Sequence, residues 1–182
     1  VSRATSQGPS YSLFISGGGA DSNVTVSPTV TAGTGVSAQL TAGTDVGVVS
    51  QSFANGAVSA GTSGGAGLAG LGTSNANVTF GNTVTARVAD GGSITAGHDV
   101  DVSADSRHTA IAEAVAGAVS LGYSSSGAYA NVQALPTTTV DVGAGAHILA
   151  DNDVDLRART GASGGADANA SGGAFIGGGT AD

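Results

Sequence analysis

Any proton transfer or metal binding in this chain has to come from few side chains. There are three histidines, His98, His108 and His147, and thirteen acidic residues, twelve of them Asp. The five positive charges are all arginine: Arg3, Arg87, Arg107, Arg157 and Arg159. Enzyme chemistry needs titratable groups that converge on one point. The histidines do not recur at the chain's internal repeat: the equivalent positions hold Thr44 and Asn152, Ala54 and Ala162, and Gln39 and Ser93. Ser and Asp are so frequent that an apparent triad carries no information. The expectation is a protein without catalytic or cofactor-binding residues.

Two other patterns could do chemistry. Asp151, Asp153 and Asp155 alternate in the run Asp151-Asn152-Asp153-Val154-Asp155. Calcium loops also space their carboxylates this way, but the hand-type motif needs a central Gly and a distal Glu, and neither is here. Asp45, Asp99 and Asp153 are expected to sit at turns and accept backbone N–H groups, with loose calcium binding by stacked Asp columns as the alternative. The second pattern is Thr-x-Thr: Thr29 and Thr31, Thr83 and Thr85, Thr137 and Thr139. Outward ranks of this kind resemble those of ice-binding proteins, and they would equally suit a glycan. They also fit any strand with a polar face.

These residues are positioned by a repeat. Residues 23–48, 77–102 and 131–156 share one frame, with Asn23, Asn77 and Asn131 in one column, each step 54 residues. Leu40, Ile94 and Ile148 hold a second column, and Asp45, Asp99 and Asp153 a third. The chain divides into the tail of a preceding repeat (1–22) and three repeats (23–76, 77–130, 131–182), one solenoid domain throughout. Residues 14–21 parallel residues 175–182, at a spacing of 161, one short of three periods. The Asn column is either an amide ladder or a turn-forming position.

Each repeat has a strand-like half and a Gly/Ala-rich half. In the middle copy Val78, Phe80, Val84, Ala86 and Val88 share a parity, as do Ile94 and Ala96, then Val100, Val102 and Ala104; Thr79, Thr85, Arg87, Thr95 and Asp101 take the other face. Turn residues interrupt at Gly81-Asn82, Asp90-Gly91-Gly92 and Gly97-His98-Asp99. Pro28, Asn82 and Pro136 share a column and mark a corner. A helix is the competing reading for 108–119. The equivalent segments 55–70 and 161–173 are rich in Gly, however, and each Gly costs a helix interior about 1 kcal/mol relative to Ala. Extended strand suits all three. Small residues there permit two sheets to approach closely.

A fixed repeat of period-2 strands predicts an all-β fold, a parallel β-solenoid in which each copy buries its apolar face against the next. One coil per repeat would give a slab about 15 Å thick, and two coils a body about 30 Å tall. Two unlike coils per repeat is the expected arrangement, because solenoid coils are usually shorter than 54 residues. No polar cap is visible at either end, so self-pairing edges, or flanking repeats of a longer chain, are expected.

The net charge of −8 argues against nucleic acid, which selects clustered Lys and Arg, and against an anionic membrane surface. No stretch is long and apolar enough to span a bilayer, so membrane insertion is not expected. No Cys is present, which is compatible with any compartment and suits a chain exported unfolded.

With the repeats laid out, residues 92–104, Gly-Ser-Ile-Thr-Ala-Gly-His-Asp-Val-Asp-Val-Ser-Ala, resemble the recurrent rung of the filamentous-haemagglutinin and leukotoxin-like giant repeat adhesins of Gram-negative bacteria. The alternating Ala/Gly segment 112–130 resembles their intervening segments. The resemblance implies a right-handed parallel β-helix, export through an outer-membrane partner, an extracellular or cell-surface location, and contact with a host, glycan or matrix surface. It implies no catalytic residues.

Overall fold

The computed structural model describes residues 1–173 and 176–181, the latter by their backbone. Among the described residues there are fourteen strands and no helix. They are β1 (Ser2–Ser12), β2 (Ile15–Val26), β3 (Thr29–Gly33), β4 (Gln39–Ala42), β5 (Val46–Ala66), β6 (Ala69–Phe80) and β7 (Thr83–Val88). The order continues with β8 (Ser93–Ala96), β9 (Val100–Ser120), β10 (Tyr123–Ala134), β11 (Thr137–Val142), β12 (His147–Ala150), β13 (Val154–Gly173) and β14 (Ile176–Ala181).

Every pairing is parallel, and it joins each strand to its own copy in the next repeat. The sheets are β1-β5-β9-β13, β2-β6-β10-β14, β3-β7-β11 and β4-β8-β12. Asn23 lies beside Asn77 and Asn77 beside Asn131; Thr29, Thr83 and Thr137 align, as do Leu40, Ile94 and Ile148. The fold is a parallel β-solenoid.

One 54-residue repeat makes one coil, because the strands pair across that separation, with β10 and β14 pairing across 53. The expectation of two coils per repeat is therefore wrong. The supposed halves are not separate coils, since β9 runs unbroken for 21 residues through their boundary. At ~3.3 Å per residue it spans roughly 70 Å, and four stacked strands give about 15 Å of height. This long strand is one wall of the coil; β6, β7 and β8, joined at corners, return along the other.

The one-residue shortfall between the two ends of the sequence has a location. Gly173 pairs with Val119 at the usual spacing, but Ile176 pairs with Tyr123 instead of with the residue one earlier. One residue has been dropped between Gly173 and Ile176. Phe175 and Asp182 of the parallel noted above lie outside the described residues.

Parity decides burial. Val78, Phe80, Val84, Ala86, Val88, Ile94, Ala96, Val100, Val102 and Ala104 are all buried, and Ala112, Ala114, Ala116 and Ala118 continue inward along β9. Ile111, Val115 and Val119 of the opposite parity are exposed, so 108–119 is strand, as the glycines of its repeats require. The core falls into two clusters. One gathers Val84, Ala86, Val88, Ile94, Val100 and Val102; the other gathers Val78 and Phe80 with the alanines of β9.

Beyond the alanine cluster the walls close to backbone contact. A Cβ on Gly72 would sit 2.6 Å from the carbonyl oxygen of Gly117, and one on Gly64 would sit 2.8 Å from that of Leu71. Only hydrogen fits there. The hydroxyls of Ser16, Ser74, Ser124 and Ser126 are buried in this thin end without hydrogen-bond partners.

Candidate functional site

The residues that could do chemistry sit at three places on the coil. The first is the turn between β8 and β9. A parallel ladder loses its backbone register at a turn, and side-chain oxygens take over. Asp45 Oδ1 accepts the Asp99 N–H of the next rung at 3.1 Å, and Asp99 Oδ1 accepts the Asp153 N–H at 3.1 Å. Thr34 Oγ1 and Asp90 Oδ1 do the same for Ala89 and Ala144 at the turn before β8. The Asp column thus bonds backbone N–H groups as expected, but those of the neighbouring rung. In the same turn Gly91 and Gly145 have positive φ, and Ser37 occupies the equivalent position at φ 54°.

The residue preceding each Asp completes the clasp. Asn152 Nδ2 donates to Asp99 Oδ1 at 2.8 Å, and His98 Nδ1 lies 3.1 Å from Asp45 Oδ1 and 2.9 Å from Asp99 Oδ2. The negative charge of Asp99, with the hydrogen bond to Asp45, raises the His98 pKa above its ordinary 6.5. The Asn152 hydrogen bond, reinforced by the Asp153 N–H, lowers that of Asp99. The ligand-capable atoms of Asp45, His98 and Asp99 lie within 4.8 Å of one another, but calcium prefers six to eight oxygens and this set offers two carboxylates and a nitrogen. Protein donors already hold Asp99 Oδ1. What the arrangement does is clamp rungs together through the Asp carboxylates and the His98 ring.

Asp151, Asp153 and Asp155 do not converge among the described residues. Asp155 pairs with Arg157 at 3.1 Å, and Asp153 contacts Asn152 at 3.4 Å. The chain's carboxylates are drawn into ladders instead: Arg157 also reaches Asp101 of the rung below at 3.5 Å, and Arg87 joins Asp141 at 3.1 Å.

The second place is the outward face of the sheet formed by β3, β7 and β11. Thr29, Thr83 and Thr137 form one column and Thr31, Thr85 and Thr139 the next, all exposed or half-exposed. The Arg87–Asp141 pair bounds them on one side. On the adjoining β2-β6-β10 sheet, Asn77 Nδ2 donates to Asn23 Oδ1 at 2.9 Å. The amide ladder therefore exists for that step, with no such bond from Asn131 to Asn77. A second ladder, Asn75 Nδ2 to Asp21 Oδ1 at 2.6 Å, was not expected.

The third place is inside, where the two core clusters meet. Asn82 fills the corner occupied by Pro28 and Pro136 in the other rungs. It is buried, and its Nδ2 donates to Ser106 Oγ at 2.8 Å and Ser52 Oγ at 3.3 Å. His108 lies beside it, 4% exposed. Its ring is stacked on Phe80 at 5.4 Å between centroids, with Nε2 3.0 Å from Ser106 Oγ. Burial lowers its pKa below 6.5. Sequence reasoning missed this joint, although a signal existed: Ser106 and His108 share the inward parity of Val102 and Ala110. His147 is exposed at the start of β12 and joins neither site.

Comparison with protein-family models, with curated proteins and with solved structures finds no match for this chain.

Proposed function

We propose that this chain is a structural, adhesive segment of an extracellular filament or giant surface adhesin, carrying load through its ladders and offering its outward faces for contact. The observation that carries the reading is the in-register pairing of every strand with its copy in the next repeat. Backbone bonds, Asp clasps, Arg–Asp ladders and apolar columns then all run along one axis. Such a stack is quasi-one-dimensional, with each rung supported by its neighbours.

The resemblance to the filamentous adhesins agrees, and with it a secreted, cell-surface location in a Gram-negative bacterium. The proposed role is mechanical and non-catalytic.

Electron imaging of the purified chain and of an in-register tandem fusion tests this. Rods that lengthen with fusion, or fibres that grow with concentration, are expected. Particles that keep one length in both molecules would sink the proposal.

A second reading, a ligand surface for ice or a glycan, is favoured by the two aligned Thr columns. Thr83→Val with Thr85→Val should abolish ice shaping or glycan retention if that reading holds. A stalk should lose only a local increment of stability.

A further inference from the structure

The thin end of the coil, where the long wall turns back into β2, β6 and β10, carries a feature that the stalk reading does not use. The turn is two residues long in three successive rungs: Leu13-Phe14, Gly67-Leu68 and Leu121-Gly122. Tight turns favour Gly, Asn, Asp, Ser and Pro. Sterics explain the glycines, since a Cβ on Gly67 or Gly122 would collide with the backbone carbonyl of Leu13 or Leu68. Sterics do not explain why the other position is a large apolar residue every time. Leu68 is 58% exposed and Leu121 82%, with Val119 beside them at 63%. Tyr11 and Tyr123 flank this line.

The same end carries no charge. Residues 7–19, 61–73 and 115–127, the segments spanning the turn in three successive rungs, contain no Asp, Glu, Arg, Lys or His. Every charged residue of those rungs lies on the rest of the coil. The turn backbone is also satisfied from within: the N–H groups of Leu68 and Ala69 donate to the Phe14 carbonyl at 3.0 and 2.9 Å, and that of Tyr123 to the Leu68 carbonyl at 2.8 Å. Removing this edge from water therefore strands few backbone groups and no charge.

We propose that this edge is a docking ridge for the surface of an electrically neutral lipid bilayer, with the leucines in the acyl boundary and the tyrosines at headgroup depth. The shape and the charge choose the occupant. The ridge is convex and narrow, a turn edge two residues wide in three successive rungs. A fluid surface conforms to a convex edge, and a second rigid copy of the same edge does not. With net charge −8 and no cation at the ridge, an anionic membrane is disfavoured. This is peripheral docking, distinct from membrane insertion, and it depends on the coil's cross-section alone, whether or not the coil is a stalk.

The test is flotation of the intact chain with phosphatidylcholine vesicles in lipid excess. Co-flotation is expected, unchanged between about 0.1 and 0.5 M salt because no ion pairing is involved. It should be weakened severalfold in Leu68→Ser with Leu121→Ser, which leaves Leu13 and Phe14 on the ridge, and unchanged in Phe53→Ser, which removes an exposed apolar side chain from the other half of the coil. Both positions face outward, so the double variant should keep the circular dichroism of the parent. As a second readout, Tyr123→Trp should be quenched by brominated lipid and Phe53→Trp should not. Absence of flotation, flotation only with anionic lipid, or full flotation of the double variant would each overturn the proposal. So would a concentration-dependent dimer, seen by sedimentation without lipid, that the double variant abolishes.

Discussion

With His98 replaced by Asn, acidification from about pH 7.5 to about pH 5.5 should weaken the coil through His108, because histidines alone among the side chains ordinarily titrate in that window. Its ring is buried between the two core clusters, against the face of Phe80. The polar groups around it are the neutral hydroxyl of Ser106, through that the amide of Asn82, and the Arg107 backbone, whose smaller effect opposes that of burial; no carboxylate bonds to it. Burial therefore favours the uncharged ring, and the folded pKa lies below 6.5. The sign follows. Above about pH 6.5 neither folded nor unfolded chain holds the proton, and the stability is fully present. Below that, the unfolded chain takes up a proton that the folded coil refuses. Stability falls by at most about 1.4 kcal/mol per pH unit until the folded value is reached, where the loss stops.

His98 acts in the opposite sense. Its pKa is raised by Asp99 and Asp45, so its contribution is present below about pH 6.5 and lost as pH rises through the folded value. The two are separated in a His98→Asn background, which mimics the donor that Asn152 supplies in the next rung. Urea unfolding followed by circular dichroism at several pH values should show stability falling with acid in that background. His108→Gln should remove the slope while lowering stability throughout. A proton NMR titration should place the His108 ring below 6.5 and the His98 ring above it. A flat or rising stability in the His98→Asn background, or a His108 ring that titrates at or above 6.5, would refute the buried joint.

Phe80→Ala should cost about 3–5 kcal/mol, as a fully buried aromatic, and should move the His108 titration toward its ordinary value as water reaches the ring; NMR of the variant checks both. Ser37→Gly should raise stability by about 0.5–1 kcal/mol, because Ser37 holds the left-handed conformation that Gly91 and Gly145 supply in the same column; a lower urea midpoint would contradict that turn. Asp99→Ala should lower the urea midpoint by removing the acceptor of the Asp153 N–H and the Asn152 amide, and Asp151→Ala should change stability by less than about 0.5 kcal/mol. Added calcium should leave the melting temperature of the parent unmoved; a rise of several degrees would restore the ion-binding alternative.

Much of the fold was legible because a solenoid repeats its instructions. The parity of Val78, Phe80, Val84 and Val88 named the inward face, and the columns at Asn77, Ile94 and Asp99 named the register. The helix at 108–119 could be rejected because its glycine-rich copies could not follow it. What misled was the length of the repeat, because solenoid coils are usually shorter than 54 residues. The sequence changes from Val-rich to Ala-rich near Asp105, but the inward parity passes through that change without a break: Val102, Ala104, Ser106, His108, Ala110. Asn82, the partner of Ser106, was hidden because proline in the neighbouring rungs marks a corner without saying what fills its interior. The inter-rung bonds of Asp45 and Asp99 were half-visible. Asp at a turn predicts a bond to backbone N–H, but which strand supplies it depends on the stacking.

The single wide coil has a consequence for how such a chain works. Because each rung is the same cross-section moved along by one strand spacing, every surface property comes as a line and not as a spot. The thick end presents lines of carboxylates, some of them bridged by arginine, as Asp101 and Asp155 are by Arg157. The thin end presents a line of leucine and aromatic side chains with no charge nearby. A contact too weak to matter at one rung gains by repetition, since later rungs engage at the high effective concentration set by the first. Stiffness makes that gain available, because a rod whose rungs are locked by Asp clasps loses little further freedom when the next rung engages. Affinity for any surface should therefore rise steeply with the number of rungs in register. A tandem fusion that doubles the rungs should bind far more than twofold more tightly, and a flexible linker between the two halves should remove most of that gain. Equal affinity with either linker would mean that the contact is a spot after all.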